Sequence, residues 1–203
     1  WLQIQVDHSP ARDGFRLRNV SADFGAVAVQ GPAVAMFINA AIPGGSISGT
    51  LGPDWTDLAK NEVATFVFQG TPAHVARTGY TGEDGFEVVA PADVIGAVWD
   101  ALLVAGKPLG MLPAGLGARD TLRTEVCYPL YGHELDETTT PIEAGVGFFV
   151  ALDKGDFVGR EVLATQKANG VKKRCVAFKM TEKSAPPRPG YPILAGAESA
   201  VAG

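Results

Sequence analysis

Two short stretches of this chain carry side chains whose types and spacing suit chemistry. The first, Arg77 to Val89 (RTGYTGEDGFEVV), holds three glycines, three carboxylates, one arginine and two aromatics between apolar segments. Gly79, Gly82 and Gly85 recur at every third position, so the backbone can bend sharply and approach a ligand closely. Where Phe86 and Val88 face a core on a strand, Glu87 faces the other side, because strand side chains alternate. A carboxylate there is either solvated beside a hairpin or paired with a guanidine-like group. The second stretch, Gly115 to Glu125 (GLGARDTLRTE), sets Arg119 and Arg123 four apart on one helix face. One reading of it is a solvated face with intrahelical pairs such as Asp120 with Arg123. The other pairs the planar fork of Arg119 with the Glu87 carboxylate to read a planar heterocycle from two sides. Tyr80 would then stack on that ring. Glu83 and Asp84 read as turn residues facing solvent.

Several other chemistries are excluded. Gly115-Leu116-Gly117-Ala118-Arg119-Asp120 begins like a dinucleotide fingerprint, but Asp120 stands where the third glycine belongs and Pro113 precedes it where a strand is needed. No P-loop or G-x-S-x-G elbow occurs, and His8, His74 and His133 share no metal-ligand spacing, so no metal is expected. The net charge is −5 with scattered Lys and Arg, which argues against nucleic acid and anionic membranes as partners. Apolar runs such as Val146 to Leu152 fall far short of the roughly 20 residues a spanning helix needs. Cys127 and Cys175 form no C-x-x-C and fit a reducing compartment.

The elements that position these residues are read from periodicity. Alternation over residues 15–19 and the apolar run Ala26 to Val29 predict two strands. Pro32 opens a helix with Val34, Phe37, Ile38 and Ala41 at helical spacing, and Pro43-Gly44-Gly45 stops it. Gly44 to Gly52 reads as a loop, and Val63, Phe66 and Phe68 as a strand. Val75 to Thr78 and Phe86 to Val89 are strands flanking the glycine-rich turn. Pro91 begins a helix whose one side carries Val94, Ile95, Val98, Trp99, Leu102 and Ala105, closed by Gly106. A second helix covers about Ala114 to Val126, with Leu116, Leu122 and Val126 as its apolar positions. Val146 to Leu152 reads as a buried strand, Arg160 to Ala168 as a helix ended by Gly170, and Arg174 to Met180 as a strand. In His133 to Pro141, Asp136 or Thr138 reads as a turn cap. Strand pairs without a βαβ rhythm give an α+β fold. The segment Pro186 to Gly190 is linker-like, which divides the chain into a core over 1–170 and the start of a further domain over 171–203.

The runs RTGYTGEDGFE (77–87), GLGARDTLRTE (115–125) and PLYGHELDETTTPIE (129–143), in that order, closely resemble the aminomethyltransferase family of the glycine cleavage system, the T-proteins. AVQGP (28–32) and LDKGDFVG (152–159) support the resemblance, which extends from Trp1 to about Leu194. It implies ferredoxin-like folate-binding lobes followed by a C-terminal β-barrel. It also implies transfer of a one-carbon unit from the aminomethyl-lipoyl arm of the H-protein to tetrahydrofolate, with release of ammonia. The family's folate-site glutamate and arginine fall on Glu87 and Arg119, and its pocket tyrosine on Tyr80. A pterin presents an amino group and a ring N–H side by side, and one carboxylate accepts both.

The family's catalytic aspartate belongs to a segment upstream of Trp1, and Asp7, Asp13 and Asp23 do not match its motif, so no catalytic residue is assigned. The chain is expected to be a fragment that binds folate weakly or not at all by itself. Related folate-dependent proteins of iron-sulfur maintenance carry a cysteine where this chain has Asp156. Sarcosine- or dimethylglycine-oxidising modules and demethylases depart from the intact RTGYTGEDGFE run. A non-catalytic folate-binding module is the reading from another class. An Ala- and Gly-rich composition without a presequence favours a bacterial cytoplasm; a eukaryotic source would place the protein in the mitochondrial matrix.

Overall fold

Along residues 63–68 and 71–76 alternate side chains are buried, along 24–30 alternate ones are the less exposed, and that period of two builds the sheet. The computed structural model describes every residue except 11, 15, 50, 51, 189, 196–199, 202 and 203. It forms two compact units, Trp1–Tyr128 and Pro129–Gly203.

In the first unit, five strands lie in the order β1 (Phe24–Gln30), β5 (Gly85–Pro91), β4 (Thr71–Ala76), β3 (Val63–Phe68) and β2 (Ser46–Ser48). All neighbours are antiparallel. One face is covered by α2 (Val34–Ala41) and α3 (Ile95–Gly106); α1 (Leu2–His8) buries none of its residues. The core joins Val29, Phe66, Val75, Phe86 and Val88 from the strands to Val34, Phe37, Ile38, Val98 and Leu102 from the helices. Trp55 is fully buried, its ring 5.6 Å from that of Phe66 and 5.8 Å from that of Phe86. Burial of each such side chain stabilises the fold by about 1.5–3 kcal/mol. Because Phe86, Val88 and Ala90 all point to this core, Glu87 and Val89 point to the opposite face, as the alternation requires. Ala28 and Ala76 flank Glu87 there on the two neighbouring strands.

The α+β class and the buried positions of α2 agree with the sequence reading. Elsewhere the structure corrects it. Residues 16–20 form no strand, and Phe15, where that strand was expected to begin, lies outside the described residues. A short strand, β2, replaces part of the loop expected over 44–52. Pro91 ends β5 instead of opening a helix, so α3 starts at Ile95, and Trp99 on its flank is 40% exposed. The helix α4 (Leu116–Glu125) exposes its expected apolar positions, Leu116 and Leu122, and buries Arg123.

In the second unit, α5 (Arg160–Asn169) ends at Gly170 as expected. The apolar run 146–152 is no buried strand: Gly147–Phe149 is a single 3-10 turn with Phe148 and Phe149 largely exposed. An apolar run reports hydrophobicity but supplies no ladder partner, and period alone cannot distinguish its forms. Residues 174–180 likewise pair with no strand among the described residues; the Cys175 amide donates to the Glu143 carbonyl (2.8 Å). Two short strands, β6 (Leu194–Ala195) and β7 (Ala200–Val201), pair antiparallel.

Candidate functional site

The turn between β4 and β5 is held by Arg77. Its Nε donates to Asp84 Oδ1 (3.0 Å) and its Nη2 to Asp84 Oδ2 (2.8 Å). Its Nη1 donates to the carbonyls of Thr56 (3.1 Å) and Leu58 (2.8 Å), and the guanidinium lies 5.5 Å from the Phe86 ring centre. The hydrogen bonds from Arg77 hold the Asp84 carboxyl below the ordinary aspartate range and, reciprocally, raise the Arg77 pKa. Asp84 is therefore tied to Arg77, the anchor of the turn, which corrects its reading as a solvated turn residue; Glu83 is exposed as expected.

Each glycine of the motif leaves room for a particular neighbour. Gln30, the last residue of β1, is register partner to Gly85. Its side chain crosses above that glycine, and a Cβ at Gly85 would come within 2.4 Å of the Gln30 amide carbon. From there Nε2 donates to the carbonyls of Thr78 (3.1 Å) and Phe86 (3.4 Å). A Cβ at Gly79 would also collide with this amide. Gly82 has φ +79°, the left-handed region that other residues rarely adopt, and a Cβ there would lie 2.6 Å from Val126 Cγ1. The turn thus rests against the end of α4.

That contact brings two of the expected site residues together. The Arg119 guanidinium lies 5.5 Å from the centre of the Tyr80 ring, and Tyr80 lies 5.6 Å from Tyr128. Behind them, buried Arg123 donates from Nε and Nη2 to Asp120 Oδ1 (2.8 and 2.6 Å) and from Nη1 to the Tyr128 carbonyl (3.2 Å). Asp120 with Arg123 is the intrahelical pair that the sequence suggested, but Arg123 is 4% exposed, so it is no solvated face. Glu87 is half-buried on the open side of β5, and its Oε2 accepts a hydrogen bond from Thr78 Oγ1. Among the described residues no hydrogen bond or ion pair joins Glu87 to Arg119. The arrangement provides an aromatic wall with a cation over it, and separately a carboxylate with acceptor capacity to spare. The tyrosine and the carboxylate are carried by the one stretch 77–87, and the cation by α4. Gln30 and Thr78 were absent from the sequence-based site; the signal available for Gln30 was a polar residue closing an apolar strand just before Gly31-Pro32.

In the second unit the acidic stretch makes turn and cap hydrogen bonds. Asp136 accepts from the amide (2.7 Å) and hydroxyl (2.9 Å) of Thr138, which lowers its pKa and makes it the expected turn cap. Thr140 and Glu143 cap each other reciprocally. No cluster of His, Cys, Asp and Glu suited to a metal ion occurs among the described residues, and no described helix is long and apolar enough to cross a membrane.

Residues 1–154 match the family described as GCVT N-terminal domain. The chain is 42% identical over 184 residues to an aminomethyltransferase of Alkaliphilus oremlandii and 46% identical over 180 residues to one of Symbiobacterium thermophilum. Each alignment takes in 88% of this chain and 46% of the relative, so the chain spans about half the length of these curated relatives. The fold is similar to the crystal structure of glycine cleavage system aminomethyltransferase T from Bartonella henselae. There the TM-score is 0.58 at 29% identity, covering 71% of this chain and 37% of that one.

Proposed function

We propose, from the premise that this chain belongs to the GCVT N-terminal domain family, that it is the folate-reading part of a glycine cleavage aminomethyltransferase. Tetrahydrofolate, as the acceptor, supplies the nitrogens that take up the one-carbon unit. The donor we propose is the aminomethyl-lipoyl arm of the H-protein, with ammonia released. Within the chain, Glu87 accepts the paired N–H donors of the pterin, while Arg119 and Tyr80 form a flat cationic wall for the ring system. Holding the acceptor in one orientation turns a bimolecular transfer into an oriented one.

The observation that carries this reading is the turn 77–87 itself. It presents Glu87 on the face of β5 turned away from the core and Tyr80 beneath the Arg119 guanidinium. A carboxylate with free acceptor sites and an aromatic–guanidinium pair fit a planar heterocycle bearing adjacent donors. We also propose that the first unit is one of the ferredoxin-like lobes and that residues 171–203 open a C-terminal β-barrel. The β6–β7 pair is in keeping with the latter. The bacterial relatives favour a bacterial cytoplasm as the compartment.

The test is an anaerobic titration of tetrahydrofolate into the protein expressed from its complete coding sequence. A charged hydrogen bond contributes about 1.5–3 kcal/mol, so Glu87→Ala should weaken binding by roughly tenfold to a hundredfold. Arg119→Ala should weaken it in the same direction. Affinity unchanged in Glu87→Ala would mean that Glu87 is an ordinary residue beside a hairpin.

A further inference from the structure

The Glu87 carboxylate is the end of a chain of hydrogen bonds that starts on a different strand. The last ladder pair between β4 and β5 on its face is Ala76 with Glu87. Thr78 lies two residues beyond Ala76 and is thus the diagonal neighbour of Glu87, within reach across the strands. Its hydroxyl donates to Glu87 Oε2, and its carbonyl accepts from Gln30 Nε2 at 3.1 Å. Gln30 reaches that carbonyl only because Gly85 and Gly79 leave space for its amide. The same amide nitrogen lies 3.4 Å from the Phe86 carbonyl, so it spans both sides of the turn.

We infer that Thr78 is a positioning residue of the pterin site: held by Gln30, its hydroxyl fixes the Glu87 carboxylate in one rotamer and occupies one acceptor position of Oε2. This rests on the folate reading given above. A free glutamate on an open sheet face samples several rotamers and loses that freedom when a ligand binds. With Oε2 already engaged by Thr78, the carboxylate plane is set before the ligand arrives. Its remaining acceptor sites then face outward for a pair of donors. The glycines at 79 and 85 have their place in this scheme as the gap through which Gln30 supports the threonine.

The test uses the protein from its complete coding sequence, titrated with tetrahydrofolate. Thr78→Val keeps the branched shape and removes the hydroxyl, and should weaken binding about tenfold, equivalent to about 1.4 kcal/mol. Thr78→Ser restores the donor and should bind within about twofold of the native protein, which a merely structural role for the threonine methyl would not give. Glu87→Gln should cost more than Thr78→Val, and adding Thr78→Val to Glu87→Gln should cost little further, because the hydroxyl acts through the carboxylate. Should Thr78→Val fail to fold, Thr78→Ala against Thr78→Ser gives the same comparison. Loss of affinity at Glu87 with none at Thr78, or additive losses in the double variant, overturns the positioning role and leaves the folate reading standing. No loss at Glu87 overturns the folate reading and this inference with it.

Discussion

Replacing Arg77 by methionine keeps most of its alkyl stem and deletes four hydrogen bonds, two to Asp84 and two to the carbonyls of Thr56 and Leu58. The side chains of Arg77 and Asp84 are 23% and 38% exposed, so water screens the ion pair and its contribution falls to about 1 kcal/mol. Each carbonyl deprived of its donor adds about 1 kcal/mol. Arg77→Met is thus expected to lower stability by about 3 kcal/mol, and Asp84→Asn by about 1 kcal/mol. In a chain of this length 1 kcal/mol moves Tm by about 2–4 °C. The two variants should therefore melt roughly 6–12 °C and 2–4 °C below the native protein when followed by circular dichroism at pH 7. The pH dependence has a definite sign. The folded pKa of Asp84 is depressed, chiefly by the hydrogen bonds from Arg77. Its stabilisation is therefore present above the unfolded value of about 3.9 and is lost as the pH falls through the folded value. The gap between native and Asp84→Asn should be flat from about pH 5 to pH 8 and close below about pH 4. A gap equally wide at pH 3, or an Arg77→Met variant no worse than Asp84→Asn, would refute the assignment of Arg77 as the anchor of the turn.

Gly82→Ala places a Cβ 2.6 Å from Val126 Cγ1 on a backbone at φ +79°, and should destabilise by about 2 kcal/mol in urea denaturation. Val126→Ala in the same chain should recover the steric part and leave the backbone part; strictly additive losses would show that the turn does not rest on α4. Arg123→Met removes a 4% exposed guanidinium from Asp120 and from the Tyr128 carbonyl, with an expected cost of about 2–4 kcal/mol. Asp120→Asn, at an acid whose side chain is 56% exposed, should cost less than about 1 kcal/mol, and equal losses would contradict the burial asymmetry.

What the sequence made legible is what depends on period. Val34, Phe37, Ile38 and Ala41 are the buried residues of α2, and the strands on either side of the glycine-rich turn pair as the alternation of Phe86, Glu87 and Val88 requires. What it hid depends on partners distant in sequence. The conspicuous charge of Asp84 looked solvated because the carbonyls that share its arginine belong to Thr56 and Leu58, 21 and 19 residues from Arg77 along the chain. Arg123 looked like the outer face of α4 because helical spacing gives a direction around the axis and not what lies in that direction, here the Tyr128 carbonyl. The same limit hid the hydrogen bonds that run from Gln30 through Thr78 to Glu87. Three glycines at equal spacing suggest one shared purpose, a bend. The structure gives them separate ones: Gly82 lets the turn close on α4, whereas Gly79 and Gly85 make room for Gln30. An alanine at Gly85 should therefore act at a distance, first on Gln30, then on Thr78, and only through these on the carboxylate of Glu87.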